Sequence, residues 1–110
     1  MATYFKNVLK SELGVTETTV LTTANNAKTT VIGLSLSNLT SSIILASVKI
    51  LDGNTLDSAY YVKDIVIPPN QSARVVNGGE RLVLGESTSV LIQASQAASL
   101  DLVLSYVEIQ

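Results

Sequence analysis

The chain has 110 residues, enough for one domain with a single core. Its formal charge is −2, and its seven Lys and Arg residues are scattered, which excludes the clustered basic surface that nucleic-acid binding requires. It contains no Cys and no His, so disulfides, zinc sites and the usual nucleophile–base pairs are excluded as well. We therefore expect a protein that is not an enzyme and that needs no cofactor or metal.

The first segment of the chain is ambiguous. Apolar residues four apart, at Phe5, Leu9 and Leu13, fit helical spacing, whereas adjacent apolar pairs in the same stretch fit an extended arm. Because β patterns fill the rest of the chain, we predict an N-terminal arm or first strand over 1–14 and a β-sandwich domain over 15–110.

Three strands are predicted in the first half of that domain. Residues 15–23 are rich in Thr, Val and Leu, which favours a strand. Residues 29–37 alternate with a period of two, and residues 43–51 do the same. In 29–37 the alternation places three apolar residues on one face: Ile32, Leu34 and Leu36.

The middle of the chain is organised by turn residues. Asp52-Gly53-Asn54 predicts a tight turn before a strand at 60–67, which must stop at Pro68-Pro69 because neither proline can donate a ladder hydrogen bond. A second strand is expected at 72–76. Asn77-Gly78-Gly79 then predicts a hairpin built on positive-φ residues, leading into a strand that ends at Leu84.

Two further strands, at 89–94 and 100–109, complete the domain. About eight short strands, with turn signals roughly every 8–12 residues, are typical of a β-sandwich. We therefore predict an all-β, single-domain antiparallel sandwich, either jelly-roll-like or immunoglobulin-like.

The last strand is apolar on both faces. Either it lies in the middle of the sandwich with both faces covered, or a partner covers one of them. The mean hydropathy of +0.37 and a charged fraction of only 15% favour a partner, and we predict a homo-oligomer. The predicted interface combines apolar residues of the first and last segments: Tyr4, Phe5, Val8, Leu9, Val103, Val107 and Ile109.

Other functions have weaker signals. Tyr60 and Tyr61, together with the acidic loop 52–57, suggest a carbohydrate-binding or host-recognition module as the alternative. Asp52, Asp57 and Asp64 are close enough in sequence to suggest a hydrolase, although solvated turn carboxylates explain them better. No stretch is long and apolar enough for a membrane span, and the N-terminus lacks the apolar core of a signal peptide. We expect synthesis in a cytoplasm and neither membrane nor nucleic-acid partners.

Much of the chain resembles small virion structural proteins of tailed bacteriophages, notably those of marine cyanobacteria. The similar segments are spread along the chain from its beginning to its end: 4–9, 29–40, 62–72, 77–84 and 99–109. The resemblance implies a non-enzymatic particle component of the neck, the tail or the capsid surface, with other virion proteins as neighbours. It assigns no functional residues.

Overall fold

The computed structural model describes residues 2–77 and 79–110, which form nine β-strands in two antiparallel sheets. The predicted all-β sandwich is therefore confirmed. No helix in these residues is long and apolar enough to cross a membrane. The strands are β1 (Thr3–Leu13), β2 (Thr18–Thr22), β3 (Lys28–Asn38), β4 (Ile44–Asp52), β5 (Ser58–Ile67), β6 (Ser72–Val76), β7 (Leu82–Leu84), β8 (Thr88–Ala94) and β9 (Leu100–Ile109).

The larger sheet has the strand order β1-β9-β3-β6, and β7 also pairs with β3. The smaller sheet has the order β2-β8-β4-β5. The segment predicted as an arm or first strand is thus the edge strand β1, and the last strand, β9, is hydrogen-bonded on both sides.

The core lies between the two sheets and follows the period-two patterns of the sequence. Leu100, Leu102 and Leu104 of β9 are at most 1% exposed, and they face Val90 and Ile92 of the smaller sheet's strand β8, which are also fully buried. Burying one such side chain stabilises the fold by about 1.5–3 kcal/mol. The strands that alternate most regularly in the sequence therefore build the core.

The predicted hairpin at 77–79 is wrong. β6 and β7 both pair with β3, and they follow one another along it in the same direction: Ser72 lies opposite Ser37 and Leu84 opposite Thr29. They form one interrupted edge strand, because each of them pairs with a different part of β3 and not with the other. Gly79 does not have a positive φ, and Gly78 lies outside the described residues.

The predicted face of Ile32 is also wrong. The register between β3 and β9 shifts between Val31 and Gly33, so an extra residue is inserted into β3 at this point. A β-bulge of this kind reverses the alternation locally. Val31 and Leu34 consequently point into the core, while Ile32 is only half-buried.

The crossing from the smaller to the larger sheet takes place at Pro68-Pro69. The N–H of Gln71 donates to the carbonyl of Pro68 (3.3 Å), and Asn70 has a φ of 55°. This is the conformation of a type II turn, which accepts proline at its second position and asparagine at its third. The predicted turn is confirmed.

The buried side chain of Asn38 fastens this crossing to β3. Its Nδ2 donates to the carbonyls of Ser42 (2.8 Å), Ile67 (3.0 Å) and Pro68 (3.1 Å). Its Oδ1 accepts from the N–H of Thr40 (2.8 Å). Since buried polar groups that lose a partner are costly, this one amide stabilises two loops and the end of β5.

We expect Asn38→Ala to lower the free energy of unfolding by at least about 2 kcal/mol, because several buried carbonyls lose their donor. Urea denaturation measures this change. Asn25→Ala, at an exposed turn, is the control and should change stability by less than about 0.5 kcal/mol. Equal losses in the two variants would show that Asn38 does not secure the crossing.

Candidate functional site

The candidate site is the outer face of the larger sheet, the face directed away from the core. Residues that lie directly opposite each other on antiparallel strands share a face. Leu9 is opposite Val103, and Phe5 is opposite Val107. Phe5 is 79% exposed, Leu9 66% and Val103 48%. Large apolar side chains therefore line up on one exposed surface.

The structure brings five of the seven predicted interface residues onto this face: Phe5, Leu9, Val103, Val107 and Ile109. The other two, Tyr4 and Val8, project from the opposite side of β1 because successive side chains of a strand alternate. Val8 packs against the core, and Tyr4 is exposed at the rim. These two residues cannot join the other five in one flat contact.

The sequence prediction missed two further apolar residues of this face. Val83 of β7 lies opposite Thr30, which lies opposite Val107, and Val83 is 75% exposed. Ile32 reaches the face through the bulge in β3. The only signal for Ile32 in the sequence is the adjacent Gly33, since glycine within a strand often marks a bulge.

The face is not flat. An open depression of about 530 Å³ lies between β1 and β3, and Phe5, Asn7, Ile32 and Ser105 contribute to its walls. Ser105 and Gly33 are small, so the sheet backbone is accessible here between larger apolar neighbours. A depression with an apolar rim can receive a projecting side chain of another protein.

The ion pairs are distributed unevenly between the two sides of the sandwich. Lys49 Nζ lies 3.0 Å from a Glu17 carboxylate oxygen, and Lys63 Nζ lies 3.3 Å from Asp64, both on the side of the smaller sheet. The hydrogen bond to Glu17 raises the pKa of Lys49. None of the ion pairs found among residues 2–77 and 79–110 lies on the outer face of the larger sheet. The face does carry charges, because the strand register also places Lys28, Asp101 and Arg74 on it, around the apolar row.

The third ion pair is at the inner side of β1. Lys6 Nζ donates to Oε1 of the buried Glu108 at 3.1 Å and lies 5.3 Å from the centre of the Tyr4 ring. The hydrogen bond to the Glu108 carboxylate raises the pKa of Lys6 above 10.5. This ion pair lies at the edge of the core, on the inner side of β1.

The residues of the alternative carbohydrate site do not form one surface. Tyr60 and Tyr61 are consecutive in β5 and therefore project to opposite sides of the sheet. The ammonium groups of Lys63 and Lys49 lie 4.9 Å and 5.7 Å from the Tyr60 ring centre, over the ring a sugar would stack on. Tyr61 packs against the core, and burial, followed by the charge of Glu80, raises its pKa.

The acidic loop 52–57 is held by its own hydrogen bonds. The Asp52 carboxylate accepts from the N–H of Asn54 (2.9 Å), and the N–H of Asp52 donates to the Asp57 carbonyl (2.8 Å). Gly53 is required here for close approach, because a Cβ at this position would collide with the Ser87 carbonyl oxygen. The described part of the chain holds no group of three acidic side chains that could bind a metal.

No protein-family model matches the sequence, and no curated protein matches it significantly. Its fold is similar to solved structures. One is a chain of Bacillus endospore appendages, described as a novel family of disulfide-linked pili, with a TM-score of 0.55 and 15% identity over 98% of this chain and 88% of the pilus chain. Another is a chain of infectious bursal disease virus, Gx strain, with a TM-score of 0.52 and 11% identity over 96% of this chain. The match covers only 35% of the viral chain. At these identities the similarity shows a shared sandwich fold.

The ion pair of Lys6 gives a pH-dependent prediction. Its pKa is raised on folding, so its stabilising effect is complete below the unfolded value near 10.5 and is lost as the pH rises through the folded value. We expect Lys6→Met to be less stable than the wild type at pH 7, with the difference vanishing at strongly alkaline pH. Urea unfolding across this range measures the difference.

Lys10→Met is the matched control, because Lys10 lies on the same side of β1 and takes part in none of the three ion pairs. It should show no pH-dependent difference from the wild type. A Lys6→Met penalty that is the same at pH 7 and at alkaline pH would contradict an electrostatic role for Lys6.

Proposed function

We propose that the protein is a non-enzymatic structural subunit that assembles with copies of itself through the outer face of its larger sheet. The observation that carries this proposal is the row of exposed apolar side chains on β1 and β9. A soluble domain that exposes an aligned apolar surface generally uses it for contact with another protein. The other side of the sandwich carries the ion pairs Lys49–Glu17 and Lys63–Asp64 and is suited to solvent.

The energetics favour a symmetric contact. Association costs about 4–15 kcal/mol of lost translational and rotational freedom. Full burial of a Val, Leu or Phe side chain contributes about 1.5–3 kcal/mol, and a two-fold interface contains each residue twice. Phe5, Leu9 and Val103, each exposed in the single chain, can together offset the cost of association, whereas one of them alone reaches only the lower end of that cost.

The comparisons support this kind of role without identifying it. The similar folds come from a pilus and from a virus, both large assemblies of repeated protein chains. The pilus is described as disulfide-linked, but the present chain has no cysteine. Its copies must therefore associate through non-covalent contacts, which makes the apolar face more important.

The particle we propose is a virion. The resemblance of segments such as 62–72 and 99–109 to small structural proteins of tailed bacteriophages supports this choice. The subunit would be made in the host cytoplasm and incorporated into the neck, the tail or the capsid surface, beside other virion proteins. The sandwich suits each location, because ordered sheets with one apolar face pack well into rings and lattices.

We expect Val103→Lys to abolish self-assembly, because it places a charge in the middle of the apolar face without touching the core. Light scattering of the purified protein measures the native mass, and circular dichroism checks that the fold is retained. The association constant should fall by at least about tenfold, because burying one unpaired charge costs about 1.4 kcal/mol or more.

Val66→Lys is the matched control. Val66 is an exposed valine in the strand β5, on the smaller sheet. Its replacement should leave the native mass unchanged. Loss of assembly in both variants, or in Val66→Lys alone, would show that the outer face of the larger sheet is not the contact surface.

A further inference from the structure

β1 offers a long and regular free edge. Its register with β9 is unbroken from Thr3 to Lys10 and shifts only between Lys10 and Leu13. The N–H and carbonyl of Ala2 both bond to those of Gln110 at 2.9 Å. Hydrogen-bonded pairs alternate along antiparallel strands, so the even-numbered residues of β1 bond to β9. The backbone groups of Thr3, Phe5, Asn7 and Leu9 therefore point away from the sheet and are free to pair.

The remaining edges of the sandwich are poorly suited to pairing. β5 is distorted by two register shifts and by Asp64, whose φ is 51°. β6 and β7 are short strands of five and three residues, and β2 has only five residues. Bulges and short strands are the usual means by which proteins block sheet edges. β1 is the edge that lacks such protection over its regular part.

We propose that β1 pairs antiparallel with β1 of a second copy, with Asn7 on the two-fold axis, to form one continuous sheet across both copies. This inference rests on the proposed function, since it specifies how two of the self-assembling copies meet. A two-fold axis perpendicular to the sheet makes the two edge strands antiparallel, and each residue then faces a defined partner. Phe5 of one copy faces Leu9 of the other.

The charges of β1 and the extent of its regular edge together select this register. The outward-pointing backbone groups belong to odd-numbered residues, so the two-fold axis must pass through a residue and not between two residues. An axis through Lys6 places Lys6 opposite its own copy, and an axis through Val8 places Lys6 opposite Lys10 twice. Like charges directly opposite each other are destabilising. An axis through Asn7 avoids both pairs and places Lys10 opposite Tyr4, an aromatic ring. Axes through Phe5 or Leu9 avoid them too, but they pair a shorter part of the regular stretch from Thr3 to Lys10.

The same register makes the apolar face continuous. Val107 and Phe5 of one copy continue into Leu9 and Val103 of the other, and the symmetry produces this row twice. Between the two rows lies a polar row formed by Asn7 and Ser105 of both copies. Pairing at the β1 edge therefore joins the apolar outer faces of the two copies into one larger surface.

Disulfide trapping tests the register, and the absence of native cysteine makes the result unambiguous. Opposed Cα atoms of a hydrogen-bonded pair are about 5.5 Å apart, within disulfide range. Asn7→Cys should therefore form a disulfide-linked dimer on mild oxidation. Thr3→Cys is the matched control on the same face, because its two copies would be about 26 Å apart.

The dimer of Asn7→Cys should form at least about tenfold faster than that of Thr3→Cys, since pairing raises the effective concentration of its thiol. Equal rates would overturn the register. A charge swap gives a second readout that needs no oxidation. Asn7→Asp and Asn7→Lys should each weaken self-association about two- to fivefold, whereas a mixture of the two should associate more strongly than either alone.

The outcomes separate this inference from the proposed function. If the wild type assembles, and assembly depends on Val103 but not on the charge at position 7, the proposed function stands and the β1 pairing is wrong. If the wild type is monomeric and Asn7→Cys is trapped no faster than Thr3→Cys, both are wrong. Selective trapping of Asn7→Cys together with recovery in the charge-swap mixture supports both.

Discussion

The position of β9 in the middle of the larger sheet determines the rest of the structure. β1 and β3 pair with β9 on both sides over nearly its whole length. This pairing fixes which side chains of β9 point into the core and which point outward. Leu100, Leu102 and Leu104 fill the core, and Val103 is held outward. The strand that stabilises the sandwich is thus the strand that displays its apolar outer face. Core and candidate interface are two sides of one element.

The two sheets have different tasks. The smaller sheet closes the core and carries ion pairs such as Lys49–Glu17 on its side of the molecule. The larger sheet supplies the apolar face and, at β1, the accessible edge. The turn at Pro68-Pro69, fixed by Asn38, carries the chain from one sheet to the other and brings β6 alongside β3. The proposed assembly through the larger sheet leaves the ion pairs of the smaller sheet in contact with solvent.

Most of the fold could be predicted because period-two patterns and turn residues are local signals. The faces of β4, β8 and β9 and the turn at Pro68-Pro69 follow from a few neighbouring residues. The outward position of Ile32 could not be predicted, because a bulge depends on how β3 pairs with a strand more than seventy residues away. The continuation of β6 into β7 was missed for the same reason. It depends on pairing with the shared partner β3, whereas the prediction relied on the Gly pair between the two strands. The predicted interface residues do not all share a face, because the pleat of β1 separates Tyr4 and Val8 from the rest.

The native mass of the full-length protein, measured by native mass spectrometry over a range of concentrations, tests self-assembly most directly. Two-fold pairing of an apolar face predicts an even number of copies, with a dimer as the smallest stable species. A protein that stays monomeric up to high concentration would contradict the central claim, because the exposed side chains of β1 and β9 would then have no second copy to cover them.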